Sequence, residues 1–145
     1  MVASAKPAMS VEAHKEIEDF FRNMRQAFNS RDLKAYRAHF WTDKRFVNFD
    51  ASGRIDTGWG AYEEFLDQEF RYMETLKLEL RDLAVQVFGD DFATAHGHWK
   101  LQQIDAGGRE QAVLGRATFT LHRIGNDWKI VNQHFSPAAD DPALR

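Results

Sequence analysis

The feature that most constrains this chain is a hairpin pattern at residues 114–136, with the sequence LGRATFTLHRIGNDWKIVNQHFS. Its first half alternates between small or apolar residues and polar ones, which predicts a half-buried strand. Gly125, Asn126 and Asp127 tolerate the positive φ angles of a hairpin turn, and a run of aromatic and β-branched residues follows them. If the turn centres on Asn126, antiparallel geometry gives three polar pairs: Arg116 with Ser136, Thr118 with His134, and Thr120 with Asn132. One face of the hairpin is therefore polar and the other largely apolar.

The composition indicates a single domain that binds neither nucleic acid nor a membrane. A chain of 145 residues has the size of one domain, and 12 Phe and 4 Trp favour a bulky core or an apolar pocket. The net charge of −3 comes with no basic stripe, and no apolar run approaches the length of a membrane span. The absence of cysteine excludes disulfides and thiolate metal sites, and it fits a cytoplasmic location. We expect residues 10–137 to form the domain, with a disordered tail at 1–9 and a C-terminal tail at 138–145.

The order of the elements predicts an α+β fold. Ser10 and Asp32 are candidate caps of a first helix and a short second one, and a third helix is expected near Trp59. Two short strands precede that third helix, and four long antiparallel strands follow it. The phase of the apolar residues slips near residues 81–82 and again near 130–131, which predicts a β-bulge at each place. Such a sheet curls around the helices like a half-cone, whose interior is either packed or hollow.

Several polar groups are candidates for chemistry, and each has a plainer alternative. His134, with His122 and Arg116 nearby on the hairpin, can shuttle protons near neutral pH, unless the polar face of the hairpin points to solvent or to a partner subunit. His96 and His98 point the same way on one strand, but no carboxylate stands at a convincing spacing to complete a metal site.

Three carboxylates cluster around the first hairpin. Asp43, Asp50 and Asp56 can supply a general base, although turn and capping roles are commoner for Asp. The sequence contains no nucleophile elbow, phosphate-binding loop or dinucleotide fingerprint. No cofactor and no metal are therefore expected.

The chain resembles the nuclear transport factor 2-like superfamily, and within it the SnoaL-like branch that includes ketosteroid isomerase. The resemblance lies in Phe40-Trp41-Thr42-Asp43 before the first strand, in Gly58-Trp59 at the third helix, in Arg116-Ala117-Thr118, and in the ending WKIVNQHFS. It implies a cone-shaped, cystatin-like α+β barrel in which a curved mixed sheet wraps around three helices. It also implies a homodimer through the sheet face and a pocket between sheet and helices.

The catalytic groups of the relatives do not carry over to this chain. Alignment with ketosteroid isomerase puts Asn48 at the position of the base and Met24 at that of the oxyanion-hole tyrosine, and the position of the aspartate falls at or beside Phe119. An amide cannot serve as a general base. The arginines that line the pocket of kinase association domains correspond to Trp99, Phe119 and Phe135. The resemblance therefore implies neither of those two chemistries here.

The leading hypothesis is a protein that binds a small apolar molecule in an aromatic pocket with polar handles. The expected ligand-binding residues are Met24, Asn48, Trp59, Tyr62, Trp99, Phe119, Gln133 and Phe135. One alternative is a metal-independent acid/base enzyme, an isomerase, dehydratase or hydrolase, with His134 as the titratable candidate. The other is a dimerisation or assembly module whose functional part is the sheet surface.

Overall fold

The computed structural model describes residues 5–138 and confirms an α+β fold with a mixed, curved sheet that does not close. The elements follow one another in the order α1 (Ala5–Asn29), α2 (Leu33–Arg37), β1 (Val47–Phe49), β2 (Ile55–Thr57), α3 (Trp59–Tyr72), β3 (Met73–Phe88), β4 (Phe92–Asp105), β5 (Glu110–Ile124) and β6 (Asp127–Pro137). The six strands lie in the order β2-β1-β6-β5-β4-β3, so β2 and β3 are the edges. Neighbours are antiparallel except for β1 and β6, which are parallel.

The helix ends show which capping predictions hold. The carboxylate of Asp32 accepts a hydrogen bond of 3.0 Å from the backbone N–H of Ala35, so Asp32 caps α2 as predicted. The cap predicted at Ser10 is wrong, because α1 already begins at Ala5 and residues 5–9 are helical. Residues 1–4 of the predicted N-terminal tail and residues 139–145 of the predicted C-terminal tail lie outside the described residues.

The hairpin of β5 and β6 has the predicted register, with Thr118 opposite His134. Both predicted bulges are present. The pairing of β5 with β6 shifts beside Thr120, where Val131 is the extra residue, and that of β3 with β4 shifts between Arg81 and Ala84. Asp82 adopts a positive φ of 54° in the second bulge. These irregularities bend long strands and let one sheet face follow the helices.

The face of the sheet that packs on the helices is called the inner face, and the opposite one the outer face. Aromatic side chains fill the space behind the inner face: Phe21 lies 4.9 Å from Phe119, and Phe40 lies 5.0 Å from Trp59, between ring centroids. From α1, the side chains of Ile17, Phe21, Met24 and Phe28 are buried, and that of Phe20 is half-buried. The interior of the fold is therefore densely packed with rings.

Candidate functional site

Three buried polar side chains meet on the inner face near the β2 edge. Asn48 in β1 pairs with Asp56 in β2 on one side and with Gln133 in β6 on the other. Residues paired across neighbouring strands point to the same face, so the pairing alone brings the three side chains together. Their exposed fractions are 2%, 5% and 2%, respectively. Buried polar groups of this kind need hydrogen-bond partners within the protein.

A chain of hydrogen bonds links these residues to two buried tyrosines. Asn48 Nδ2 donates to Asp56 Oδ2 at 3.0 Å, and Gln133 Nε2 donates to Asn48 Oδ1 at 3.1 Å. Gln133 Nε2 also donates to the Tyr62 hydroxyl at 3.2 Å, and the Tyr62 and Tyr36 hydroxyls lie 2.9 Å apart. We call these five residues the polar network. It joins α2, α3 and three strands at one point.

Arg54 closes the network toward solvent. Its Nε and Nη2 donate to the two oxygens of Asp56 at 3.1 and 3.0 Å, which is the bidentate geometry of a strong ion pair. The guanidinium also lies over the ring of Phe65, 3.3 Å from its centroid. Burial alone would lower the pKa of Arg54, but its hydrogen bond to Asp56 and the nearby carboxylates of Asp50 and Asp56 raise it. The buried Asp56 side chain is therefore paired directly with a positively charged group.

The two tyrosines stay protonated at neutral pH. Burial raises the pKa of Tyr62 to about 12, although hydrogen bonds with Tyr36 and Gln133 lower it in part. Burial and the neighbouring Tyr62 raise the pKa of Tyr36 well above its ordinary value. Both hydroxyls are thus hydrogen-bond donors and weak acids in this environment.

One polar atom of the network is left without a partner. Gln133 Oε1 is the single buried side-chain nitrogen or oxygen atom lacking a hydrogen bond among residues 11–138. Both donor positions of the same amide are used, by Asn48 and by Tyr62. An unpaired buried acceptor costs about 1–3 kcal/mol, so it marks either strain or a place for a further partner.

Two surface clefts stand out in the described part of the chain, and no residue of the polar network lines either of them. A cleft of about 800 Å³ runs between α1 and β3, and one of about 540 Å³ lies beside Trp99 and Gly115. Trp99 is the only predicted ligand-binding residue that lines either of them. Neither cleft is the predicted aromatic pocket, and among the described residues aromatic rings pack together where that pocket was expected.

Most of the chain matches one protein family. Residues 17–140 match the SnoaL-like domain. The chain belongs to this family. A comparison with curated proteins gave no match. Among the described residues of this SnoaL-like protein, no helix is both long and apolar enough to cross a membrane.

Solved structures from three bacteria share the fold. A candidate scytalone dehydratase from Novosphingobium aromaticivorans has a TM-score of 0.83 at 12% identity, over 92% of this chain and 89% of its own. A nuclear transport factor 2-like superfamily protein from Salmonella enterica has a TM-score of 0.78 at 20% identity, over 90% and 95%. A protein of the same fold and unknown function from Pseudomonas putida has a TM-score of 0.74 at 26% identity, over 94% of both chains.

The predicted ligand-binding residues of this SnoaL-like domain separate into two parts of one core. Asn48, Tyr62 and Gln133 belong to the polar network, and Trp59 packs against Tyr62 at 5.5 Å between centroids. The other part is apolar. Phe135 contacts both Trp99 and Phe119, and Met24 is 1% exposed in the same core.

His134 lies on the outer face and away from the network. Its side chain is exposed and packs on Phe49, with 5.0 Å between the ring centroids. The bulge at Val131 therefore turns Gln133, not His134, toward the helices. Side chains alternate between the two faces after the bulge as they do before it, so His134 shares the polar outer face with Thr118.

The other histidine candidates and Asp43 lie outside the polar network. His96 and His98 are exposed, and residues 11–138 contain no group of three potential ligands for a metal ion. His122, on the same polar side of the hairpin as His134, is also exposed. Asp43 has a local role, because its carboxylate binds the backbone and side chain of Arg45.

Sequence reasoning missed part of the network. It considered Asp56 only as a turn residue or a base, and it did not single out Tyr36 for a polar role. A signal was present at Asp56: a charged residue stands at the centre of a three-residue strand, on the face shared with Asn48. The hydroxyl pair of Tyr36 and Tyr62 has no local signal, since the two residues are 26 positions apart and on different helices.

Proposed function

We propose that this SnoaL-like domain binds a small, largely apolar molecule that makes its polar contact with the network on the inner face. The observation that carries the proposal is the unpartnered Gln133 Oε1, an acceptor that is 2% exposed and surrounded by otherwise paired polar groups. A ligand group beside this oxygen would remove the cost of leaving it unpaired, which is about 1–3 kcal/mol.

The surroundings of Gln133 fit an apolar ligand body. Tyr62 contacts Gln133 directly, and Phe119 is its partner across the β5–β6 pair. Trp59 and Phe135 extend this aromatic surface on the two sides. Rings with a few fixed polar groups are the usual lining of small-molecule sites. Because the site is closed, the ligand must select a conformation in which some of these rings have moved apart.

A fragment screen tests the proposal. Small aromatic compounds are added to the ¹⁵N- and ¹³C-labelled protein, and chemical-shift changes are mapped onto the fold. We expect binding compounds whose shifts cluster at Asn48, Tyr62 and Gln133. Gln133→Leu should weaken their binding about threefold or more, as loss of one neutral hydrogen bond does. Gln102→Leu is the matched control, because Gln102 is exposed on β4.

The outcome that would sink the proposal is equally concrete. Shift changes confined to the two surface clefts, or affinities that Gln133→Leu leaves untouched, would place binding elsewhere in the molecule. A screen with no binding compound would also count against a ligand site at the network.

A second candidate function is acid/base catalysis without a metal, and the buried hydroxyl pair favours it. Tyr36 and Tyr62 stand 2.9 Å apart in the interior, where two protonated hydroxyls can deliver a proton to a substrate. A solved relative in fold carries the name of a dehydratase. Incubation with small hydroxylated ketones, followed by mass spectrometry for loss of water, tests this function. Tyr62→Phe should abolish the turnover, and Tyr72→Phe, at an exposed tyrosine, should not.

The partner expected besides the ligand is a second copy of the chain, in the cytoplasm. The outer face carries exposed apolar side chains near His134, among them Phe49 and Ile55, which are 40% and 58% exposed. Adjacent apolar side chains on an open sheet face favour self-association. Light scattering at micromolar concentration is the test. A dimer that Ile55→Glu dissociates supports the assignment, and a wild-type monomer refutes it.

A further inference from the structure

The polarity of the network is determined at its solvent end. Arg54 donates to both oxygens of Asp56, and Asn48 donates to one of them as well. Three N–H groups thus point at the two oxygens of Asp56, so toward Arg54 and Asn48 this side chain acts only as an acceptor. This fixes the orientation of each amide group further along the network.

The constraint passes from one amide to the next. Because Asp56 accepts, Asn48 must turn its NH₂ group toward it, which leaves Asn48 Oδ1 facing Gln133. Gln133 must then turn its own NH₂ group toward Asn48, and its Oε1 is left over. Rotating the Gln133 amide would set two oxygens against each other. Rotating Asn48 as well would only move that repulsion to the Asp56 carboxylate, where the negative charge makes it larger.

The tyrosines do not impose such a direction. A hydroxyl both donates and accepts, so Tyr62 can pair with either end of the Gln133 amide. Its pKa of about 12 keeps the proton in place, and the Tyr36 hydroxyl can receive that proton's hydrogen bond. The orientation of the unpaired oxygen is therefore controlled from Asp56 and not from the helices.

We infer that Asp56 sets the hydrogen-bond polarity of the site, so that the ligand is a molecule with a hydroxyl or N–H group that donates to Gln133 Oε1. The inference rests on the proposed function, because it names the chemical class of the ligand of that same site. A ligand that offers only a carbonyl or ether oxygen would place a second acceptor beside Gln133 Oε1, and no hydrogen bond would form. Asp56 acts here as a positioning residue, through Asn48 and Gln133.

Matched pairs of probes test this class. Phenol is compared with anisole, and indole with 1-methylindole, because each pair differs at the donor hydrogen. Dissociation constants come from NMR titrations of the full chain, followed at the side-chain amide of Gln133. In the wild type we expect the donor of each pair to bind at least about tenfold more tightly, which is the cost of an unpaired or opposed buried acceptor.

Two variants separate polarity from charge. Asp56→Asn lets residue 56 offer either an oxygen or an NH₂ group, so Asn48 and Gln133 are free to rotate and the preference for donors should fall toward onefold. Asp50→Asn is the control: Asp50 also lies near Arg54, at 3.5 Å, but has no hydrogen bond to Asn48. It should keep the wild-type preference.

A measurement on the wild type alone guards against misfolding of Asp56→Asn. Nuclear Overhauser effects should connect the Gln133 amide protons to the ring protons of Tyr62, and their absence would overturn the assigned orientation. If donors and acceptors bind at Gln133 equally well, the inference fails while the proposed function stands. If no probe of either kind binds at the network, both fail together.

Discussion

The side chain of Asn29 offers the sharpest test of how α1 holds the edge of the sheet. Asn29 is the last residue of α1, and its side-chain amide makes two hydrogen bonds with the backbone of Leu78 in the edge strand β3, one as donor and one as acceptor. The N–H of Leu78 donates to Asn29 Oδ1 at 2.7 Å, and Asn29 Nδ2 donates to the Leu78 carbonyl at 3.2 Å. The amide thus replaces a neighbouring strand at this point of the edge.

Asn29→Ala should destabilise the protein by about 1–3 kcal/mol, since two hydrogen bonds of about 0.5–1.5 kcal/mol each are lost. Asn23→Ala is the matched control, because Asn23 is exposed on the same helix. There the change should be neutral or should stabilise by up to about 0.7 kcal/mol through helix propensity. Urea unfolding of both variants and the wild type gives the free energies.

Hydrogen exchange localises the effect. The Leu78 amide should exchange about tenfold faster in Asn29→Ala, because its acceptor is gone and the edge opens more readily. The Glu79 amide points toward β4 by the alternation of a strand and should change much less. The reasoning would be refuted by equal unfolding free energies for the two variants together with an unchanged exchange rate at Leu78.

Three further predictions concern packing, pH and capping. Gly115→Ala should destabilise the protein by about 1–3 kcal/mol or more, because the new methyl carbon would lie 1.8 Å from the Ser136 carbonyl oxygen. Gly60→Ala is the control, because its methyl carbon meets nothing within 4 Å and the change should stabilise α3. Equal urea midpoints for the two variants would contradict this prediction. Burial lowers the pKa of His39 from 6.5, so its contribution to stability is complete above pH 6.5 and is lost as the pH falls below it. His39→Gln should flatten the melting temperature between pH 7 and pH 5, and a slope identical to that of the wild type would rule out this role. Asp32→Ala should cost about 1 kcal/mol by removing the cap of α2, measured by thermal unfolding, and no loss would show that the cap is dispensable.

Short-range patterns in the sequence account for much of the fold. The turn residues around Asn126 and the alternation on both sides gave the register of β5 with β6 to the residue. The phase slips placed both bulges, since an inserted residue reverses the face of every side chain after it. The predicted start of α1 was wrong because residues that can cap a helix, such as Ser10, also occur inside helices. The residue type alone therefore does not identify the first turn.

The candidate site was predictable only in part, because it depends on long-range pairing. Asn48 and Gln133 were both expected to be polar handles, but their contact requires β1 to lie parallel to β6 across 85 positions of sequence. Asp56 joins them through the return strand β2, and Tyr62 through α3. Helix and strand periodicity relates only near neighbours in sequence, so it cannot predict contacts between residues this far apart in the chain.

The sequence by itself therefore determined the elements, the hairpin register and the bulges, since alternation and turn chemistry act between near neighbours. Tertiary structure decided three other things: which residues share the polar network, that His134 lies outside, and that aromatic side chains fill the interior. The physical reason is that packing and buried hydrogen bonds depend on where distant segments meet. The unpaired oxygen of Gln133 follows from such a meeting, because Asp56 orients it through an amide on another strand.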